Sequence, residues 1–260
     1  MKILQIGGGN MGGALLARWS EGLDWSFTLV DPGAPEVPTG VHRVGSLQAL
    51  KQGDFDLLVV AVKPQIVEPA LAGVAHYLRR DAVIVSVAAG TPVDLLANLL
   101  GPRPIVRAMP NMPVRIGEGL TGLFGNTLLD PEDRTVIDQL FEPTGASLWL
   151  DDEDSIDRFT AIAGSGPGYL FEMLRSYAAA AEALGFDRHQ AEFMAAQTVR
   201  GAVELARETH APYAALRDSV TSKGGTTAAG LQVFGGPDGF EGMFREGTKA
   251  AYDRARELRG

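Results

Sequence analysis

Short apolar runs alternate with helical patterning through the first half of the chain. KILQI (2–6), FTLV (27–30), LLVVAV (57–62), AVIVSV (82–87) and PIVRAMP (104–110) read as strands, with helical segments near 11–20, 46–52, 66–78 and 92–100. Strands with so few polar positions are buried on both faces, as in a parallel sheet covered by helices. GLTGLFGN (119–126) and SLWL (147–150) add two strands, and a helix falls around 131–141. The pattern changes at DDEDSID (151–157), which reads as a solvated linker running into the acidic first turn of a helix. Beyond 157 the chain is almost entirely helical and rich in alanine, as in YLFEMLRSYAAAAEALGF and HQAEFMAAQTVRGAVELARE. Small apolar side chains let helices approach closely, so such faces pack against each other or against a second subunit. The expected organisation is an α/β domain over 1–152 and an all-helical domain over 153–260.

The first strand runs straight into glycines. KILQIGGGNMGGALLARW places Gly7, Gly9 and Gly12 in the G-x-G-x-x-G spacing, after a strand and at the head of a helix. Gly7 permits the tight turn, Gly9 lets the backbone approach a pyrophosphate, and Gly12 lets the helix pack closely on the strand. The helix N-terminus offers free N–H groups and a partial positive charge to the phosphates. Asp31 closes the second strand, 24 residues beyond Gly7, which completes the context of a Rossmann dinucleotide-binding domain. Two readings of Asp31 stand side by side: it bonds the adenosine ribose hydroxyls, which favours NAD, or it starts the DPG turn. NADP sites place an arginine near this point, and Arg43 serves if the loop folds back. AVKPQ (61–65) follows the third apolar strand at the carboxyl edge of the sheet, where ligands bind in such folds. Lys63 there faces a phosphate or the nicotinamide side, or is a lysine on an exposed loop.

Composition narrows the class without naming the reaction. The chain has 260 residues and 27.6 kDa, with 45% hydrophobic and 21% charged residues, as in ordinary globular enzymes. It has no cysteine, which excludes a disulfide framework, a thiolate metal site and a cysteine nucleophile. A net charge of -9 and a pI near 5.0 argue against general binding of nucleic acid or anionic membrane. No apolar run approaches the ~20 residues of a membrane span, and the start MKILQIGGGN lacks the pattern of a signal peptide, so a cytoplasmic location is expected. No cluster has metal-ligand spacing. His42, His76, His189 and His210 fall in loops or on polar helix faces and are read as solvated rather than catalytic.

A second glycine loop lies far along the chain, in VTSKGGTTAAGLQVF (220–234). By composition alone it is a turn with Ser222 or Thr226 as helix N-cap, or an anion site at a helix mouth. The ordered motifs IGGGNMGGAL, AVKPQ, RAMPNMP (107–113), AGSGPGYLFEML (163–174) and VTSKGGTTAAGL (220–231) resemble those of the pyrroline-5-carboxylate reductase family over nearly the whole chain. That resemblance implies an N-terminal Rossmann domain, a C-terminal helical dimerisation domain, and NADPH-dependent reduction of a cyclic imine to proline, the last step of proline biosynthesis. It implies assembly as dimers, often further associated. By motif, the cofactor contacts implied are Gly7, Gly8, Gly9, Asn10, Met11 and Gly12, then Ala61, Val62, Lys63 and Pro64, then Ala88 and Ala89. The substrate contacts implied are Ser222, Gly224, Gly225, Thr226 and Thr227, with Thr227 as the catalytic residue on the ring nitrogen.

The chemistry agrees with that implication. The substrate carries a carboxylate and an imine, so the site must hold an anion and keep the nitrogen hydrogen-bonded as hydride arrives. Backbone N–H groups of Gly224, Gly225 and Thr226 are suited to the first task and the Thr227 hydroxyl to the second. Because the two glycine loops fall in different domains, the site is expected where domains or subunits meet. Two departures stand out: Lys223 occupies a position where many family members carry proline, and Asp31 sits uneasily with NADPH. A β-hydroxyacid dehydrogenase, the nearest alternative enzyme, needs a lysine where this chain has Leu170. A nucleotide-sensing protein without catalysis has no use for a second anion site.

Overall fold

The computed structural model describes residues 1–33, 36–51, 53–236 and 238–259. The strands are β1 (Lys2–Ile6), β2 (Ser26–Val30), β3 (His42–Val44), β4 (Phe55–Val60), β5 (Leu78–Ser86), β6 (Ile105–Pro110), β7 (Gly119–Gly125) and β8 (Gly145–Trp149). They form one sheet in the order β3-β2-β1-β4-β5-β6-β7-β8. All pairs are parallel except β6 with β7. The first six strands thus follow the doubly wound Rossmann order, with its switch point between β1 and β4.

Helices α1 (Asn10–Gly22), α2 (Val67–Leu71), α3 (Val93–Leu100), α4 (Pro131–Phe141) and α5 (Glu153–Phe159) cover this sheet. Alternate strand residues feed two cores. Ile3, Leu57, Val59, Val83 and Val85 pack with Leu15, Leu16 and Trp19 of α1 and with Ile137, Leu140 and Phe141 of α4. Leu4, Leu58, Val60 and Ile84 pack on the opposite face with Val67, Leu71, Leu96 and Leu100. The apolar strand runs read from the sequence are therefore strands buried on both faces.

Several local expectations need correction. The helix expected over 46–52 is a single 3₁₀ turn at Leu47–Ala49, and its last position lies outside the described residues. The helix expected over 66–78 is broken into 3₁₀ turns at Pro64–Ile66 and Val74–Tyr77 around the short α2. Pro69 and Gly73 lie within that window, and Gly73 takes a φ of 80°, which a helix cannot continue through. The short edge strand β3 has no apolar run of its own and escapes periodicity. Expected 57–62, β4 begins at Phe55 and stops at Val60, releasing 61–65 as a loop. The acidic run is as read at its start, with Asp151 and Asp152 exposed and Glu153 and Asp154 in the first turn of α5, but Asp152 caps that helix and Asp157 is buried with Ile156 and Phe159.

By its internal contacts the chain forms two compact units, Met1–Ser165 with Ala251–Gly260, and Gly166–Ala250. By these contacts the division falls at 165/166, with α5 packed against β6 and β7. In the second unit are α6 (Gly166–Ala183), α7 (Arg188–Thr209), α8 (Tyr213–Ser219), α9 (Thr226–Phe234) and the first half of α10 (Phe240–Arg259). Ala178, Ala191 and Ala195 are buried where α6 meets α7, with Leu174 and Ala181 packed beside them. This is the close approach that small side chains allow. A capping box of Asp187 and Gln190 opens α7.

Candidate active site

In the first unit, three segments converge at the carboxyl edge of the sheet. The register pairs Ile6 with Val60 and Val60 with Ser86, so the chain leaves β1, β4 and β5 side by side. These exits are the glycine loop, the Ala61–Pro64 segment and the turn holding Ala88 and Ala89. Gly7 has a φ of 98°, and a Cβ there would lie 2.5 Å from the Ala61 carbonyl oxygen and 2.8 Å from Val62 Cγ1. A Cβ on Gly12 would lie 2.6 Å from the Gly7 oxygen and 2.9 Å from Ala61 Cβ. Neither glycine tolerates a side chain, which explains two of the three motif positions. Nothing lies within 4 Å of where a Gly9 Cβ would point. That open face, with the amides of Asn10, Met11 and Gly12 lacking acceptors among the described residues, fits a pyrophosphate.

Both oxygens of Asp31 are engaged by backbone. Oδ2 accepts from Gly8 N at 2.6 Å and Oδ1 from Gly33 N at 2.8 Å. The side chain therefore clamps the glycine loop and opens the DPG turn. Arg43 does fold back: β3 pairs with β2, and Arg43 Nη2 donates to the carbonyl of Asp31 at 3.3 Å and to that of Gly33. Its Nε is buried with no partner among the described residues. Lys63 and Pro64 are exposed, Ala88 is buried, and Ala89 is exposed.

Two features of this edge escaped the sequence reading. Gln5 is fully buried in β1, and its Nε2 donates to Gly7 O at 2.8 Å and to Gly12 O at 2.9 Å. A polar residue inside an apolar strand, directly before a glycine loop, was the available signal. The second feature is Arg107 of the RAMPNMP segment, buried beside Ser86 in the register of β5 and β6. Its Nη1 donates to Glu153 Oε1 at 2.8 Å, and the same oxygen accepts Val93 N at 2.9 Å. Pro92 has no side-chain acceptor to cap α3, so Glu153, 60 residues beyond Val93, performs that role. Asn111 ties the end of the same segment to the turn before Gly166, donating to Ala163 O at 3.1 Å across a π-helical turn at Thr160–Gly164.

In the second unit, the loop before α9 is a tight turn. Gly225 N donates to Ser222 O at 3.0 Å, and Gly224 has a φ of 75°. Lys223 and Gly224 are its central residues, in the pattern of a type II turn. No side chain caps α9, so neither Ser222 nor Thr226 is the helix cap that composition alone suggested. Gly225 N is committed to the turn and is not the free anion donor expected of it. Gly224 N and, in the first turn of α9, the amides of Thr226, Thr227 and Ala228 have no acceptors among the described residues. Thr227 is exposed, and its hydroxyl has no hydrogen-bond partner among the described residues. Leu170, in α6, offers no proton shuttle for an alcohol oxidation. Among the described residues no three His, Cys, Asp or Glu side chains could hold a metal ion together.

Residues 153–258 match the family described as pyrroline-5-carboxylate reductase dimerisation. The chain is 36% identical to a pyrroline-5-carboxylate reductase of Pseudomonas aeruginosa over 264 aligned positions, covering 99% of this chain and 96% of that one. It is 34% identical to the Escherichia coli protein of the same name, covering 99% and 98%. Among solved structures, a pyrroline-5-carboxylate reductase of Coxiella burnetii superposes with a TM-score of 0.89 at 32% identity, covering 99% and 98%. A Plasmodium falciparum pyrroline carboxylate reductase with NADP bound gives 0.88 at 26% identity, covering 100% and 98%.

Proposed function

The chain belongs to the pyrroline-5-carboxylate reductase family, and from that premise we propose that it reduces the cyclic imine of L-1-pyrroline-5-carboxylate to L-proline with a nicotinamide dinucleotide as reductant. The observation that carries the reading is the uncapped mouth of α9, where three unclaimed amides and a free threonine hydroxyl follow a tight glycine turn. A carboxylate satisfies those amides and gains from the helix dipole.

The roles follow from the groups present. The amides of Thr226, Thr227 and Ala228 hold the substrate carboxylate. The Thr227 hydroxyl meets the ring nitrogen, donating as the nitrogen gains electron density. On the cofactor side, Asn10, Met11 and Gly12 receive the pyrophosphate over the bare Gly9, while Ala61–Pro64 and Ala88–Ala89 border the nicotinamide side. When bound, a nicotinamide dinucleotide would supply the hydride to the imine carbon, and the nitrogen takes its proton from solvent water beside the Thr227 hydroxyl. The protein contributes orientation and electrostatics rather than a nucleophile.

We assign the reductant as NADPH, with Arg43 as the cation for the ribose phosphate. Asp31, engaged twice by backbone amides, then serves as a clamp of the loop rather than as the ribose acid. Oxidation of NADPH and NADH in the presence of pyrroline-5-carboxylate tests the whole reading. Turnover with NADPH as the better reductant is expected. No turnover with either coenzyme overturns the assignment, and faster turnover with NADH overturns the role given to Arg43.

A further inference from the structure

We propose that Gln5 is a positioning residue for the cofactor loop: its buried amide holds the carbonyls of Gly7 and Gly12 and so turns the first amides of α1 toward the pyrophosphate. The inference rests on the assignment of the dinucleotide to that loop. Gln5 lies in the middle of the sheet, paired in register with Leu29 on one side and Val59 on the other. It shares a strand face with Ile3, which packs under Leu15, Leu16 and Trp19 of α1. From there its amide nitrogen reaches Gly7 O at 2.8 Å and Gly12 O at 2.9 Å, the two ends of the glycine motif. A Cβ on Gly12 would lie 3.0 Å from that nitrogen, so the third glycine also makes room for the amide.

The effect is to fix a peptide plane. The unit joining Gly7 to Gly8 has its carbonyl held by Gln5 and its N–H held by Asp31 Oδ2. With that plane set, the chain passes through Gly9 into α1, and the amides of Asn10, Met11 and Gly12 are left outward. Stability of the sheet does not account for the residue. Gln5 Oε1 is buried with no partner among the described residues, and an unpaired buried carbonyl is a net cost that leucine or methionine would not incur. Gln5 therefore costs the core something and gives the loop its geometry.

The two contributions have opposite signs, and that separates a positioning role from a structural one. Gln5→Met and Gln5→Leu are compared with the wild-type chain by NADPH fluorescence titration, thermal melting without cofactor, and steady-state kinetics. The dissociation constant for NADPH is expected to rise about tenfold, the loss of one or two hydrogen bonds. The melting temperature without cofactor changes little, because removal of the unpaired Oε1 is offset by the Gly7 carbonyl left without its donor, and kcat at saturating NADPH stays within about twofold, as expected when ground-state cofactor binding alone is weakened. An unchanged NADPH affinity overturns the proposal. So does a melting temperature that falls together with affinity in both variants, or failure of both to fold, since Gln5 would then be supporting the sheet. A wild-type chain that binds neither NADPH nor NADH removes the cofactor assignment itself, before any variant is read.

Discussion

Thr227 stands in the first turn of α9 with an exposed hydroxyl and a backbone amide that no acceptor claims. If the hydroxyl strengthens its bond to the ring nitrogen as hydride arrives, its loss falls on turnover rather than on cofactor binding. Thr227→Ala is expected to lower kcat by about 100- to 1000-fold, on the scale of a lost oxyanion-hole donor, with NADPH affinity nearly unchanged. A fully active variant removes Thr227 from the mechanism. Arg43 is argued in the same way from what its neighbours leave free. Its Nη2 is spent on two carbonyls of the 31–33 turn, while its Nε is buried with no partner among the described residues. A phosphate beside that guanidinium gains a charge-assisted hydrogen bond. Arg43→Leu should raise KM for NADPH at least about tenfold and leave KM for NADH within about twofold, given the value of a hydrogen bond to a charged group. Parallel loss with both coenzymes would mean that Arg43 only supports the turn.

At the scale of the element, the 222–225 turn has a geometry that would accept proline where Lys223 stands. Lys223 takes the position that proline suits in a type II turn, and its backbone N–H has no acceptor among the described residues. Lys223→Pro therefore removes no hydrogen bond and restricts the unfolded chain. It should raise Tm by about 1–3 °C, from the usual 0.4–1 kcal/mol of such replacements. A lower Tm would show that the turn does not accept the proline φ. Helix α5 carries a second element-scale prediction. Asp152 caps it, accepting from Ser155 N at 2.6 Å and from Ser155 Oγ at 2.8 Å. These bonds, with Arg158 nearby, hold the carboxyl below its ordinary value of 3.8. A depressed folded pKa stabilises above the unfolded value and is lost as pH falls through the folded one. Asp152→Ala should thus lower Tm at pH 7 and converge with wild type in acid below the usual carboxylate range. A Tm difference unchanged with pH would mean that the charge is irrelevant to the cap.

For the molecule as a whole, the order of the strands decides where chemistry can happen. Parallel strands on both sides of the switch point deliver the glycine loop, the 61–65 loop and the 88–91 turn to a single edge. The Arg107–Glu153–Val93 connection braces that edge from within the first unit. The second unit presents large apolar side chains to solvent along its long helices, among them Phe171 at 66% exposure and Phe193 at 64%. Such a surface is more than a monomer leaves uncovered, and it lies in a region that matches a dimerisation family. Sedimentation should give at least a dimer, and a monomer at micromolar concentration would contradict that reading.

The sequence by itself determined the sheet strands buried on both faces, the glycine loop between β1 and α1 and the helical second half. Each of these is a local constraint: an apolar run, a glycine that cannot carry a side chain, a helical period. The spacing of Gly7, Gly9 and Gly12 was enough to announce the loop because a Cβ at Gly7 or Gly12 would run into a backbone carbonyl oxygen, at 2.5 and 2.6 Å, which cannot be moved aside as a side chain can. What only the tertiary structure decided was which polar groups are already spoken for. Asp31 has two backbone amides, Gly225 has given its N–H to a turn, and the cap of α3 comes from a helix 60 residues later. Hydrogen-bond partners are assigned by through-space proximity, which periodicity along the chain does not encode. For that reason the glycine loops that make up the candidate site were legible in the residues, while the division of hydrogen bonds among them was not.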